Sequence, residues 1–73
     1  MWLNENSTKR EILNYIEIDP FSFLYNFSDK PWSQPYMDEA VKLVAKKDPE
    51  YYLKHLADKF PQGIDTALFN LTS

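Results

Sequence analysis

Asp19-Pro20-Phe21-Ser22-Phe23-Leu24-Tyr25-Asn26-Phe27-Ser28-Asp29-Lys30 recurs 29 residues later as Asp48-Pro49-Glu50-Tyr51-Tyr52-Leu53-Lys54-His55-Leu56-Ala57-Asp58-Lys59. Asp, Pro, Leu, Asp and Lys are identical at matching places, and Phe23, Phe27 and Ser28 become Tyr52, Leu56 and Ala57. The match extends backwards: Ile12, Tyr15 and Ile16 shift onto Val41, Val44 and Ala45, all apolar. A duplicated unit explains this economically, and internal repetition is the sequence mark of stacked supersecondary units.

Each copy reads as two short helices meeting at Asp-Pro. Asp is a favoured N-cap because its carboxylate accepts from the free N–H groups of the first turn. Proline suits the first helical position, where its missing N–H costs nothing. It also drives the preceding residue out of the α region, so the upstream helix ends there. Asp19-Pro20 and Asp48-Pro49 are therefore paired stop–start signals.

Working outward, Thr8-Lys9-Arg10-Glu11 fits a capping box and opens the first helix at Ser7 or Thr8. Its apolar face is Ile12, Tyr15 and Ile16, at helical offsets. The second helix runs from Pro20 to about Asp29 and buries Phe23, Leu24 and Phe27. Pro31-Trp32-Ser33-Gln34-Pro35 connects it to a third helix over about Pro35 to Lys47, presenting Met37, Ala40, Val41, Val44 and Ala45. Lys46 and Lys47 fall where the helix dipole favours cations. A fourth helix spans Pro49 to Phe60 with Tyr52, Leu53 and Leu56 inward. A fifth, Ile64 to Leu71, offers Ile64, Ala67, Leu68 and Leu71. Shortening its connection by about two residues aligns it as the first half of a third unit.

The expected fold is thus all-α: about five short antiparallel helices in one domain, residues 1–73. They form two and a half stacked αα-hairpins, with units at about 9–35 and 36–62 and a partial third at 63–73. Stacked hairpins of this kind make an α-solenoid, in which each unit covers its neighbour's apolar face.

The Asp-Pro hinges, with the closing segments Ser28-Asp29-Lys30-Pro31-Trp32 and Ala57-Asp58-Lys59-Phe60-Pro61, resemble the α-solenoid repeats, the class that includes HEAT and tetratricopeptide arrays. The period of 29 is shorter than the 34 of tetratricopeptide units and the roughly 40 of HEAT units. The Trp-Leu-Gly pattern of tetratricopeptide units is also missing. The resemblance implies a helical scaffold for binding other molecules and carries over no catalytic or ligand residue.

Composition narrows the function classes. The formal charge of −3 argues against nucleic-acid binding, which draws on clustered Lys and Arg. No run of about 18 apolar residues appears, so no membrane span is expected. Met1-Trp2-Leu3-Asn4-Glu5 lacks the basic start and apolar stretch of a signal peptide, and a cytoplasmic location is the default. Three Asn-x-Ser/Thr triplets, at Asn6, Asn26 and Asn70, would matter only in a eukaryotic secretory setting. A chain this short hides about 62% of its unfolded surface, so contacts with further copies or partners would help it.

Chemistry is sparse. There is no cysteine, hence no thiolate ligand or nucleophile. His55 is the single histidine; its place in the other copy is held by Asn26, a polar surface position, and Asp58 is its one local carboxylate. Asp38-Glu39 and Asp48-Pro49-Glu50 lie at helix beginnings, where negative charge complements the dipole. No phosphate-binding glycine cluster, calcium loop or metalloprotease motif occurs. We expect no catalytic residue, no cofactor, no metal and no enzymatic activity.

What remains is aromatic content of 16%. On a helix Phe23, Leu24 and Phe27 share one stripe, which leaves Phe21 and Tyr25 off it. They either cover a neighbouring hairpin or act as exposed anchors for a partner, because aromatic residues are enriched at binding hot spots. Trp32, held between prolines, and Phe69, near the end of the chain, complete the candidate partner-binding set: Phe21, Tyr25, Trp32 and Phe69. Trp2 and Leu3, ahead of the first cap, are placed to shield an open end.

The function expected is a protein-interaction or scaffold module, free-standing or part of a longer array, that meets a protein partner or associates with itself through the C-terminal helix. The alternative is a small regulatory or inhibitory protein that grips one target through an acidic face (Asp38, Glu39, Glu50) or an aromatic one.

Overall fold

The structure, a computed structural model, describes residues 2–72. Among the described residues every regular element is helical and no strand forms. Five helices follow in order: α1 (Lys9–Ile18), α2 (Pro20–Phe27), α3 (Met37–Lys47), α4 (residues 49–56) and α5 (Ile64–Thr72). Short 3-10 helices at Pro31–Tyr36 and Pro61–Gly63 lead into α3 and α5. The chain divides into two compact units, Met1–Ala40 and Val41–Ser73, with α3 crossing from one to the other.

In the first unit α1 opens as its sequence dictates. Thr8 caps it: the Glu11 N–H donates to Thr8 Oγ1 at 3.2 Å, and the Thr8 N–H donates to Glu11 Oε1 at 2.8 Å. Two donors that the first turn leaves unpaired are thereby satisfied. Ile12 and Ile16 are buried and Tyr15 is half-buried. Asp19 ends α1 and starts α2 at once; its N–H donates to the Tyr15 carbonyl at 2.9 Å, and its carboxylate accepts from the Ser22 N–H at 3.1 Å. α2 buries Phe23, Leu24 and Phe27. Tyr15 joins the two helices through an edge-on contact with Phe27 (5.6 Å between ring centres) and a 2.6 Å hydrogen bond with Ser22.

α2 stops at Phe27, two residues short of the expected Asp29, and the following turn shows why. Ser33, fully buried, points Oγ at the carbonyls of Phe27 (2.6 Å) and Lys30 (2.8 Å). Gln34 Nε2 donates to the Ser28 and Lys30 carbonyls at 2.9 and 3.1 Å. The carbonyls left open at the helix end find side-chain donors. Pro35 lies inside this 3-10 turn rather than at the start of the third helix, so α3 begins at Met37. Its expected stripe, Met37, Ala40, Val41, Val44 and Ala45, is buried throughout.

The second unit repeats the corner locally. Asp48 donates its N–H to the Val44 carbonyl at 2.9 Å, and its carboxylate accepts from the Tyr51 N–H at 3.2 Å. The backbone torsions of Asp19 (φ −148°, ψ 77°) and Asp48 (φ −145°, ψ 78°) are nearly the same. Four residues later, at Tyr52, the copies part. α4 is α-helical only over Pro49–Tyr51 and then widens into a π-helix, Tyr52–Leu56, in which the Ala57 N–H reaches the Tyr52 carbonyl at 2.9 Å. The helix expected to reach Phe60 is therefore interrupted at Leu56. Phe60 is held instead by its N–H donating to the Leu56 carbonyl at 2.8 Å.

Tyr52 accounts for this. Its ring is fully buried, its hydroxyl donates to the Phe60 carbonyl and accepts from the Gly63 N–H at 3.0 Å. Phe23, the matching residue of the first copy, has no hydroxyl, and there Ser33 and Gln34 close the helix end. Gly63 is the point of closest approach: a Cβ built on it would lie 3.0 Å from Tyr52 Cζ, Tyr52 Oη and Val41 Cγ1. α5 follows, with Ala67 buried and Leu68 and Leu71 of its expected inward face about half exposed.

Candidate functional site

Three of the four residues singled out in the sequence lie in the first unit. Trp32 is half-buried, its ring 5.5 Å from Phe27, and the Ser33 hydrogen bonds fix the turn that carries it. Phe21 is half-buried, and Tyr25 is 66% exposed on α2. The fourth, Phe69, belongs to α5 in the second unit and is 71% exposed.

Phe27 floors a shallow open groove of about 310 Å³ walled by Trp2 and Trp32, with Glu5 and Lys30 at its edge. Phe21 and Tyr25 are not part of its lining. The Trp2 ring sits 4.9 Å from Phe27 although the side chain is 64% exposed, while Leu3 next to it is buried. A small turn sets this segment: the Asn4 N–H donates to Ser7 Oγ at 2.9 Å, and the Ser7 N–H donates to the Asn4 carbonyl at 3.0 Å. Trp2 therefore joins Trp32 as a groove wall, a partnership that no local sequence pattern records beyond a tryptophan ahead of a cap. A larger depression, about 850 Å³, follows one face of α1 past Lys9, Arg10, Glu11, Leu13, Asn14 and Glu17. One helix forms all of it, and it encloses nothing.

The remaining exposed apolar residues are Ile18 at the end of α1 and Leu68 and Leu71 on α5. Periodicity places Leu68 and Leu71 on an inward stripe, but it marks a stripe without saying whether anything covers it, and here both are exposed. Ile18 falls outside the α1 stripe of Ile12, Tyr15 and Ile16, beside Asp19.

The titratable groups take structural places. His55 is exposed, with its ring 4.8 Å from that of Tyr51 one turn earlier. Asp19 and Asp48 cap helices, and Asp38 and Glu39 lie exposed in the first turn of α3. Burial pushes the Tyr52 phenol above its ordinary value of 10.0, against a smaller opposite pull from the Gly63 N–H. Among the described residues no three His, Asp or Glu side chains are grouped to hold a metal ion. Nor is any helix among them long and apolar enough to cross a membrane. The chain matches no protein-family model, no curated protein sequence and no solved structure.

Proposed function

We propose that this chain is a protein-binding module of the helical-hairpin repeat kind, acting by contact and not by catalysis. The observation that carries the reading is the exposure of large apolar side chains on regular helices: Tyr25 on α2, and Leu68, Phe69 and Leu71 on α5. Water-exposed aromatic rings on a rigid helix lose little entropy on docking and bury much area, which makes them effective anchors. The alike Asp-Pro corners, equal in torsion and in hydrogen bonding, support a hairpin duplicated as a scaffold. Units of that kind are used for the surfaces they present.

The test is a quantitative capture experiment with tagged chain and source lysate, comparing the wild type with single changes Tyr25→Ser and Phe69→Ser and with Asp38, Glu39 and Glu50 all changed to Lys. The expected result is one or more partners retained by the wild type and by the charge-reversed chain, and lost with either aromatic. Loss confined to the charge-reversed chain would replace this reading with a regulator that grips its target through an acidic face. Capture unchanged by all three variants would contradict both.

A further inference from the structure

We propose that the corner between α1 and α2 docks a cationic amphipathic segment of another protein. Such a segment sets apolar side chains against Ile18, Phe21 and Tyr25, and Lys or Arg beside the carboxylates around them. This rests on the protein-binding reading and names the chemistry of one partner. Ile18 closes α1 and is 73% exposed. Tyr25 is 66% exposed on α2, and Phe21, one turn before it on the same side, is half-buried. The fold does not require these side chains. At the matching places of the other copy, 29 residues on, stand Lys47, Glu50 and Lys54. Yet the Asp48 corner has the torsions and the carboxylate cap of the Asp19 corner. Where an equivalent corner folds with charged residues, a group of exposed apolar ones marks a contact surface.

The surroundings of the two corners differ in sign. From Glu11 to Asp29 the chain carries four carboxylates, Glu11, Glu17, Asp19 and Asp29, and no Lys or Arg. The matching stretch, Ala40 to Asp58, carries four lysines against three carboxylates, with Lys46 in the place of Glu17. Capping bonds at Glu11 and Asp19 leave their negative charge in place, and Glu17, Asp19 and Asp29 are exposed. An apolar spot in an acidic field draws a cationic segment and repels an acidic one, a nucleic acid or an anionic lipid surface. Among the described residues no other surface offers the complement. α5 exposes Leu68, Phe69 and Leu71, but its one charge is Asp65. The Asp48 corner has lysines and no exposed large apolar residue, and the Trp2–Trp32 groove sets Lys30 against Glu5. The partner is therefore a different protein. The open apolar area, on the order of 300 Å², is below the roughly 800 Å² per partner of a stable folded interface. It suits a short segment held weakly, by an attraction that salt screens.

The test titrates the ¹⁵N-labelled full chain with synthetic peptides of about 18 residues, five helical turns. One has Leu and Lys at helical spacing, one the same pattern with Glu for Lys, and one Ser and Lys at equal charge with no apolar face. The Leu–Lys peptide is expected to shift amides of residues 17–29 with a dissociation constant of about 0.1–1 mM, rising about threefold or more from about 20 to about 200 mM salt. The other two should bind at least about tenfold more weakly. Ile18→Lys, Phe21→Glu and Tyr25→Lys together give this corner the residues of its counterpart, and should abolish the shifts with circular dichroism unchanged. If that variant unfolds, the peptide comparison on the wild type decides. An absence of shifts, equal binding of the Leu–Glu or Ser–Lys peptide, or shifts centred on α5 or on residues 40–58 would overturn the proposal. So would shifts at residues 17–29 that grow with chain concentration alone, which would make a second copy the occupant. If the Leu–Lys peptide fails while Tyr25→Ser or Phe69→Ser loses a lysate partner, the cationic segment fails and the binding reading stands. If the peptide binds at the corner while nothing is captured from lysate, the corner stands and the wider reading fails.

Discussion

Tyr52 and Gly63 depend on each other. The phenol bridges the Phe60 carbonyl and the Gly63 N–H, and the glycine leaves room for it. No described residue has a positive φ, so Gly63 is needed for close approach and not for an unusual backbone. Alanine there would gain some helix propensity but press on a ring pinned by two hydrogen bonds and on buried Val41. Neither neighbour can give way freely, and the clash wins. Gly63→Ala is expected to lower stability by about 1–3 kcal/mol in urea unfolding. Tyr52→Phe keeps the packing but leaves the part-buried Phe60 carbonyl and the buried Gly63 N–H short of a partner, at a cost of about 1–3 kcal/mol.

The same phenol predicts a pH dependence. Its ionisation is raised in the folded chain above the unfolded value of 10.0. The unfolded chain then releases this proton first as pH climbs. The stabilisation is complete below pH 10 and is lost as pH rises towards the folded value. The stability difference between wild type and Tyr52→Phe should therefore shrink above about pH 10; a difference that stays constant or grows to pH 12 or so would contradict the assignment. Burial of this hydroxyl was legible in the sequence only as an apolar helix position. Its partners, eight and eleven residues on, follow from how the chain turns, which no local pattern records.

At the scale of the element, the Asp-Pro corner is the most sequence-determined feature. A carboxylate cap, a proline at the first helical position and an apolar stripe on either side all demand one geometry, and both corners adopt it. Asp19→Ala and Asp48→Ala should each cost about 0.5–2 kcal/mol, with closely matched values. A loss at one corner several times that at the other would show that the copies are not equivalent. The capping box at Thr8 and the buried stripe of α3 were legible for the same reason, since local chemistry and burial agree there. The ends of α2 and α4 were not. They are set by Ser33 and Gln34 in one case and by the Tyr52 phenol in the other, through bonds to carbonyls that sequence spacing does not reveal.

α4 also carries a test of cause. We attribute the π turn at 52–56 to the pull of the phenol on Phe60 and Gly63, because the matching helix with Phe23 stays α-helical to Phe27. In Tyr52→Phe the Ala57 N–H should transfer from the Tyr52 carbonyl to that of Leu53, the ordinary α partner. Couplings measured through the hydrogen bond by NMR would show the change. Retention of the bond to residue 52 would place the cause elsewhere.

For the molecule as a whole, the described residues divide into two small helical units, each with its own buried side chains. Leu3 shows how much the first unit relies on a residue outside any helix: it is 1% exposed, and Leu3→Ala should cost about 2–5 kcal/mol in thermal or urea unfolding. The candidate surface was only partly legible at this scale. Of the aromatic residues off the α2 stripe, Tyr25 is exposed and Phe21 is half-buried, while Phe69, picked out by its place near the end of the chain, is exposed. The joining of Trp2 and Trp32 across Phe27, and the open leucines of α5, depend on which faces the fold leaves uncovered. Periodicity is blind to that.

The most direct test of the account is a full set of ¹³Cα and ¹³C′ chemical shifts for the chain in solution. Helical shifts should run through residues 9–18, 20–27, 37–47, 49–56 and 64–72, broken at Asp19 and Asp48 by non-helical torsions that agree with each other. Strand-like shifts in any of these segments would contradict the account, as would an unbroken helix through either Asp-Pro pair or two corners of unlike conformation.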